Sequence, residues 1–351
     1  MGLKAPIGSP SVRYLDRPAS ESFTMSYRFE FRPYQRRFRQ PVRTHHGDWQ
    51  VRQGLILKLT DDEGRSGFGE VAPLPWFGSE TFEQALDFCQ QLPQQLSDQA
   101  VPSLLPTLPA CQFGLESVFS NLERNLRPID LPNAQCGVLL PRGQQSLEQW
   151  SPYWKQGHRI FKCKIGVGQV ADEMEWLDQL LGQLPFGAKL RLDANGGLNE
   201  LAARQWLDWC DRNDQRIEFL EQPLPPRDFD TVMRLSYRYH TPIALDESIA
   251  SWEQLKAHFH RGWDGIYIIK ASIMGSPQRL RHFYHKYPID LVISSVFETA
   301  VGHQALIQLA IDLAMTYPDI PHRALGLGTQ QWFPDDGFSQ TDWPLLWQRL
   351  A

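Results

Sequence analysis

From Ser26 to about Phe68 apolar and polar positions alternate in short runs, first Tyr27, Phe29 and Phe31, then Leu55, Leu57 and Leu59, with a polar turn at Asp61 to Gly64. A period of two places one set of side chains on one face, so this stretch predicts an antiparallel meander. Helical spacing follows from about Glu80 to Leu96 and from Cys111 to Leu126. Residues 25–130 therefore read as a small α+β domain. Ahead of them 1–24, rich in Ser, Pro and Gly, carries no such pattern and predicts a flexible leader.

From Gln135 the rhythm changes. Short β-rich runs recur near 135–140, 160–165, 189–193, 217–221, 242–246, 265–270, 290–295 and 323–328, separated by helix-length segments. Strands alternating with helices imply parallel βαβ units, and eight of them over 131–328 favour a closed (β/α)8-type barrel over an open sheet. Such a barrel places its chemistry at the C-terminal ends of the strands.

Those ends are charged. The second strand ends in Lys162-Cys163-Lys164, the third in Asp193-Ala194-Asn195, the fourth in Glu221-Gln222-Pro223, the fifth in Asp246-Glu247-Ser248 and the sixth in Lys270. Strand side chains alternate faces, so Lys162 and Lys164 point inward while Cys163 faces the surrounding helices as packing. Asp193, Glu221 and Asp246, from adjacent strands, offer hard oxygen ligands of the kind Mg2+ prefers. Lys164 and Lys270 stand four strands apart and face each other across that cluster. A single strand-end acid is commonly a helix cap or a surface charge, and Glu218 and Glu247 read as structural charges. Five groups in register on otherwise apolar strands are costly without partners and point to a site. A proton next to a carboxylate is removable only when positive charge stabilises the resulting anion, which a metal and lysines provide. A lysine becomes a useful base where a second ammonium, a metal and partial burial favour its neutral form, and Lys162 beside Lys164 fits that role.

Composition narrows the function. The chain of 351 residues is 42% apolar and 21% charged with a formal net charge of -5, which suits a globular protein and gives no general attraction to nucleic acid or anionic membrane. No apolar run is long enough to span a bilayer, and 1–24 lacks the apolar middle of a signal peptide. The five scattered cysteines have neither metal-ligand nor disulfide spacing, so a reducing cytoplasm is expected. Most Trp and Phe read as core, with Trp76 and Phe77 set apart by their Pro- and Gly-rich loop.

Two other readings compete. Gly166-Val167-Gly168 follows a strand and opens a helix, and Asp193 ends the next strand, as in a dinucleotide site of an NAD-dependent dehydrogenase. That reading drives two lysines into a buried sheet and leaves the later carboxylates and Lys270 without a task. A non-catalytic metal-binding barrel is the other, although no position that catalysis needs is missing.

The Lys-x-Lys pair, the three acids and the strand-six lysine resemble the enolase superfamily, in its muconate lactonizing enzyme subgroup. The string Gly67-Phe68-Gly69-Glu70-Val71-Ala72-Pro73-Leu74-Pro75 with Ser79-Glu80-Thr81, together with Arg191 and Ser294-Ser295-Val296-Phe297-Glu298-Thr299, is similar to the o-succinylbenzoate synthases. The resemblance implies a modified (β/α)7β TIM-type barrel under an α+β capping domain, to which 329–351 returns. It implies a small-molecule carboxylate substrate and Mg2+, with Mn2+ as the alternative ion. It further implies syn dehydration of 2-succinyl-6-hydroxy-2,4-cyclohexadiene-1-carboxylate toward menaquinone or phylloquinone. Lys164 would abstract the proton and assist departure of hydroxide, with Lys162 tuning it. Lys270 would stabilise the flat anion by cation–π attraction. Arg191, Ser294 and Ser295 would place the substrate, and Asn195 would orient a metal ligand. N-acylamino acid racemases are sibling alternatives. Dipeptide epimerases typically carry Asp-x-Asp at the eighth strand, where this chain reads Gly326-Leu327-Gly328-Thr329.

Overall fold

The computed structural model describes residues 26–44, 47–97, 107–320 and 322–350, and the leader expected at 1–24 lies outside them. β1 (Ser26–Thr44) pairs antiparallel with β2 (Gly47–Thr60), β3 (Ser66–Val71) follows, and β4 (Gln95–Ser97) joins the far edge, in the order β3-β2-β1-β4. The strands are longer than the short runs suggested, because β1 and β2 pair from Arg28↔Thr60 to Arg37↔Val51 and resume after a register shift at Val42↔Trp49. The turn forms at Asp61, whose carboxylate accepts from Arg65 N–H and Nε.

α1 (Phe82–Gln91) opens with a capping box between Thr81 and Gln84. It stops short of the Leu96 expected from periodicity. Leu92 precedes Pro93 and is extended (φ -68°, ψ 140°), as the proline ring requires, and the chain then pairs as β4. α2 (Pro109–Glu123) lies against β3 at very short range. A Cβ on Gly69 would sit 2.4 Å from the Gly114 carbonyl oxygen, so glycine is what lets helix and strand meet. The buried Glu80 carboxylate accepts the Ala110 and Cys111 N–H groups and caps this helix from the preceding loop.

The second sheet is parallel throughout. It consists of β5 (Cys136–Leu139), β6 (Ile160–Lys164), β7 (Lys189–Asp193), β8 (Ile217–Glu221), β9 (Ile243–Leu245), β10 (Ile266–Ile269), β11 (Leu291–Ile293) and β12 (Leu325–Gly328), ordered β11-β10-β9-β8-β7-β6-β5-β12. A bridge between Ser294 and Gly326 joins the outer strands and closes the barrel. Between successive strands run α3 (Gln144–Lys155), α4 (Val170–Gln183), α5 (Glu200–Arg212), α6 (Phe229–Arg238), α7 (Trp252–His260), α8 (Pro277–Lys286) and α9 (Ala300–Thr316), while β12 leads into a 3-10 turn, Gln330–Trp332, rather than an eighth helix. The architecture is thus a (β/α)7β barrel with an antiparallel cap. Phe219, Ala244, Ile266, Ile268 and Val292 fill the barrel interior, and a larger core lies between strands and helices, Cys163 included. Among the described residues no helix is long and apolar enough to cross a membrane.

Both chain ends contribute to the cap. α10 (Trp343–Arg349) packs Trp343, Leu346 and Trp347 against Tyr34, Ile56 and Phe68. Glu70, at the end of β3, is buried at the start of α9. Its carboxylate accepts from Thr299 N–H at 3.0 Å, Gly302 N–H at 2.9 Å and the hydroxyls of Thr299 and Tyr34. A negative group at a helix N-terminus satisfies N–H groups that have no partner within the helix. Burial raises the Glu70 pKa despite these bonds, and Glu70 ties the two sheets together. Glu70→Ala would strand several buried donors, and we expect it to lower the unfolding free energy by about 3 kcal/mol in denaturant titration.

Candidate active site

Asp193 and Glu221 end β7 and β8 and stand opposite one another in register, as do Lys164 and Asp193 across β6 and β7. Asp246 follows β9, and Lys270 follows β10. The three carboxylates are at most 3% exposed. Lys162 Nζ lies 2.8 Å from Asp193 Oδ2 and 2.7 Å from Glu221 Oε1, so one ammonium bridges two acids. Lys270 pairs with Asp246, and its Nζ lies 3.8 Å from the centroid of the Phe77 ring. The Lys164 side chain makes no hydrogen bond or ion pair among the described residues, although its charge acts on Asp193. In the sheet order β6 and β10 are four strands apart, so their lysines face across the mouth.

Charge decides the electrostatics. Burial raises the pKa of Glu221, the neighbouring Asp193 adds to this, and the group is pushed up to about 8. Asp193 goes the other way. Burial opposes its ionisation, but Lys162, Lys164 and the Asn195 N–H hold it below the usual range. One ammonium cannot neutralise two buried carboxylates, and the deficit falls on Glu221. For Lys162, burial lowers the pKa but Asp193, Glu221 and Asp246 outweigh it and hold the amine well above its ordinary value. It stays a cation.

Asn195 joins this cluster. Its N–H donates to Asp193 Oδ1 at 3.0 Å and its Nδ2 to Glu247 Oε1 at 3.1 Å. Glu247 belongs there too, although alternation along the strand would point it outward. Asp246 leaves the strand (φ -121°, ψ -75°) and a 3-10 turn over Glu247–Ile249 brings the second acid inward. Burial, then Asp246, pushes Glu247 up to about 7, and its Oε2 is buried with no partner among the described residues.

Two of the residues expected to place a substrate, Arg191 and Ser295, are engaged within the protein. Arg191 shares the inward face with Asp193 but turns to the barrel floor, where Nε donates to Glu218 Oε2 at 2.7 Å and Nη2 to the Ala324 carbonyl at 2.7 Å. Arg323 Nη1 meets the same Glu218 at 3.0 Å. Arg191 is thus held toward the barrel floor by Glu218 and the Ala324 carbonyl. Ser295 is buried, giving its hydroxyl to Glu298 and accepting the Phe297 N–H at 2.8 Å. Its neighbour Ser294 is half-buried at the barrel seam with Gly326. The dinucleotide motif is closed as well. Gly166, Val167 and Gly168 all donate their N–H groups to the Glu173 carboxylate, which occupies the place of a phosphate.

Comparison with known proteins agrees. The family described as "Enolase C-terminal domain-like" matches residues 145–337 and "MenC, N-terminal domain" matches 29–122. An o-succinylbenzoate synthase of Thermosynechococcus vestitus is 37% identical, spanning 92% of this chain and 99% of the relative. The chain belongs to the o-succinylbenzoate synthase family of the enolase superfamily. A second relative with that name, from Klebsiella pneumoniae, is 30% identical over 79% of this chain and 84% of its own. The crystal structure of the synthase from Thermosynechococcus elongatus BP-1, described as complexed with Mg in the active site, superimposes with a TM-score of 0.81 at 36% identity, covering 92% of this chain and 99% of that one. Muconate lactonizing enzyme from Pseudomonas putida, at 18% identity and a TM-score of 0.68 over 88% of this chain and 89% of its own, shares the fold.

Members of this superfamily depend on a divalent metal and act on small molecules. As the side chains stand, no three acidic, His or Cys groups among the described residues surround one point, because ammonium groups lie between the carboxylates. The donor chemistry nevertheless fits a hard divalent cation. The rim gathers four carboxylates, Asp193, Glu221, Asp246 and Glu247, as its hard oxygen donors, and a buried Glu247 oxygen lacks a partner among the described residues. As a ligand, Glu221 would have to shed its proton, so apparent affinity should weaken as pH falls through about 8, with proton release in calorimetry. Asp193→Asn, Glu221→Gln or Asp246→Asn should each weaken it by more than about 100-fold.

Proposed function

We propose that this chain is an o-succinylbenzoate synthase, a carbon–oxygen lyase that removes water from 2-succinyl-6-hydroxy-2,4-cyclohexadiene-1-carboxylate, with Mg2+ as its ion and Mn2+ as a substitute. The observation that carries the reading is the placement of Lys164 and Lys270 on opposed strands across three buried carboxylates.

Asp193, Glu221 and Asp246 would hold the ion, which supplies the positive charge that a developing carboxylate dianion needs. Lys164, whose ammonium is held by no hydrogen bond among the described residues, takes the ring proton next to the carboxylate. The electron pair left behind moves into the carboxylate and, on its return, expels the hydroxyl from the adjacent carbon. The protonated Lys164 lies on the face from which it took the proton and gives that proton to the departing hydroxyl, so water and an aromatic ring result. Lys162 remains a fixed ammonium beside it, tethered by Asp193 and Glu221. Lys270 faces the flat anion from the other side.

Racemisation would need Lys270 to exchange protons on that second face, whereas here it is bound between Asp246 and the Phe77 ring. The epimerase arrangement meets a steric bar. A side chain at Gly328 would begin 2.2 Å from the Gly137 carbonyl oxygen.

Purified protein with Mg2+ should consume the diene, followed by its ultraviolet absorbance, and EDTA should stop it. A parallel polarimetric assay on N-acylamino acids tests the sibling activity, and racemisation without loss of the diene would refute the synthase reading. Lys164→Ala should lower kcat by about 10^3-fold while folding and metal binding persist.

A further inference from the structure

Lys270 is held from above as well as from the side. It meets the Asp246 carboxylate and the face of Phe77, 3.8 Å from Nζ to the ring centroid. Phe77 comes from the cap, at the end of the 3-10 turn Pro75–Phe77. That turn is fixed at every step. Arg52 Nη1 donates to the Pro73 carbonyl at 2.7 Å, Ser79 Oγ accepts the Leu74 N–H at 2.6 Å, and Phe77 N–H donates to the Leu74 carbonyl at 2.9 Å. Gly78 then leaves in the left-handed region, φ 97°, which favours glycine. The neighbouring Trp76 takes a different direction and meets Trp49 edge to face at 5.0 Å.

A lysine has a long flexible stem and a point charge, so its ammonium goes where its partners hold it. Asp246 alone would draw Lys270 toward the carboxylate cluster and away from the substrate. The face of an aromatic ring carries negative charge density that attracts a cation from a second direction without adding a carboxylate. We propose that Phe77 is a positioning residue for Lys270, its ring setting the ammonium where it opposes Lys164 across the reacting ring, so that the site is complete only with the cap loop seated. The inference rests on the functional reading above, in which Lys270 stabilises the anion.

Replacing Phe77 with mono-, di- and trifluorophenylalanine in the full-length Mg2+-loaded enzyme keeps its shape and weakens the negative ring face stepwise. We expect kcat to fall along the series, by about ten-fold at the trifluoro ring, with KM within about two-fold. F77L should fall at least as far, and F77W, with an electron-rich face, should recover activity relative to F77L. Constant kcat across the fluorinated series, or wild-type kcat in F77L, would overturn the proposal, because apolar packing survives in both. If wild-type protein does not dehydrate the diene, the functional reading fails, and the positioning of Lys270 is judged on metal-free protein. There, acylation of Lys270 followed by mass spectrometry should accelerate along the series, and equal rates would overturn it.

Discussion

Asp193, Glu221, Asp246 and Glu247 gather at one end of an apolar barrel, where their mutual repulsion is poorly screened and burial beside neighbouring acids holds Glu221 and Glu247 above the usual carboxylate range. Much of what surrounds them answers to that constraint. Lys162 is locked as a cation between two of the acids. Lys270 pairs with Asp246, and further support comes from neutral amides, which orient carboxylates without altering the charge. Asn195 bonds Asp193 and Glu247. Gln222, fully buried, accepts the Asp246 and Ser248 N–H groups at 3.0 and 3.1 Å and donates to the Leu224 carbonyl and Ser248 Oγ at 2.8 Å. Both amides adopt the left-handed backbone region, φ 45° and 36°, within two residues of a strand-end acid. Strained residues of this kind persist where surrounding bonds over-determine them, and here those bonds belong to the site.

The barrel was legible in the chain because eight β-rich runs at helix-plus-strand spacing leave few alternatives, and strand periodicity says which side chains face inward. Periodicity does not report height within the barrel or the direction of a long side chain. Arg191, two residues before Asp193 and on the same face, bonds Glu218 lower on the next strand, which the sequence pattern does not reveal. Nor does alternation survive where a strand ends. Glu247 is inward only because Asp246 starts a 3-10 turn, and Ser295 is spent on Glu298 because the loop after β11 folds back on itself, with Phe297 at φ 67°. In the cap the helical period ran past Gln91 unnoticed, although Pro93 marked the stop. The Gly166–Gly168 loop illustrates the converse. Its N–H groups do form an anion cradle, but the anion is Glu173 of the following helix, and an acidic first turn was the signal to weigh.

The rim alone accounts for taking a proton next to a carboxylate and sheltering the anion. What happens next depends on which bond lies parallel to the new electron pair and on how the substrate is held, and those choices fall to the groups above the rim. Here the cap and barrel meet in an aromatic layer. Phe38 contacts Phe333 at 4.5 Å, Trp49 at 4.9 Å and Phe297 at 5.2 Å, and Trp49 reaches both Phe297 and Trp76. Phe297 and Phe333 belong to loops that leave the barrel at its reactive end, while Phe38, Trp49 and Trp76 belong to the cap. Flat rigid side chains of this size shape a slot and keep water out at little conformational cost. Because Glu70 fixes the cap to the first turn of α9, immediately after Phe297, the layer cannot shift without disturbing buried hydrogen bonds. Cap–barrel cohesion is therefore carried by residues that border the rim, and substitutions in this layer should be harder to accept than on the barrel's outer helices.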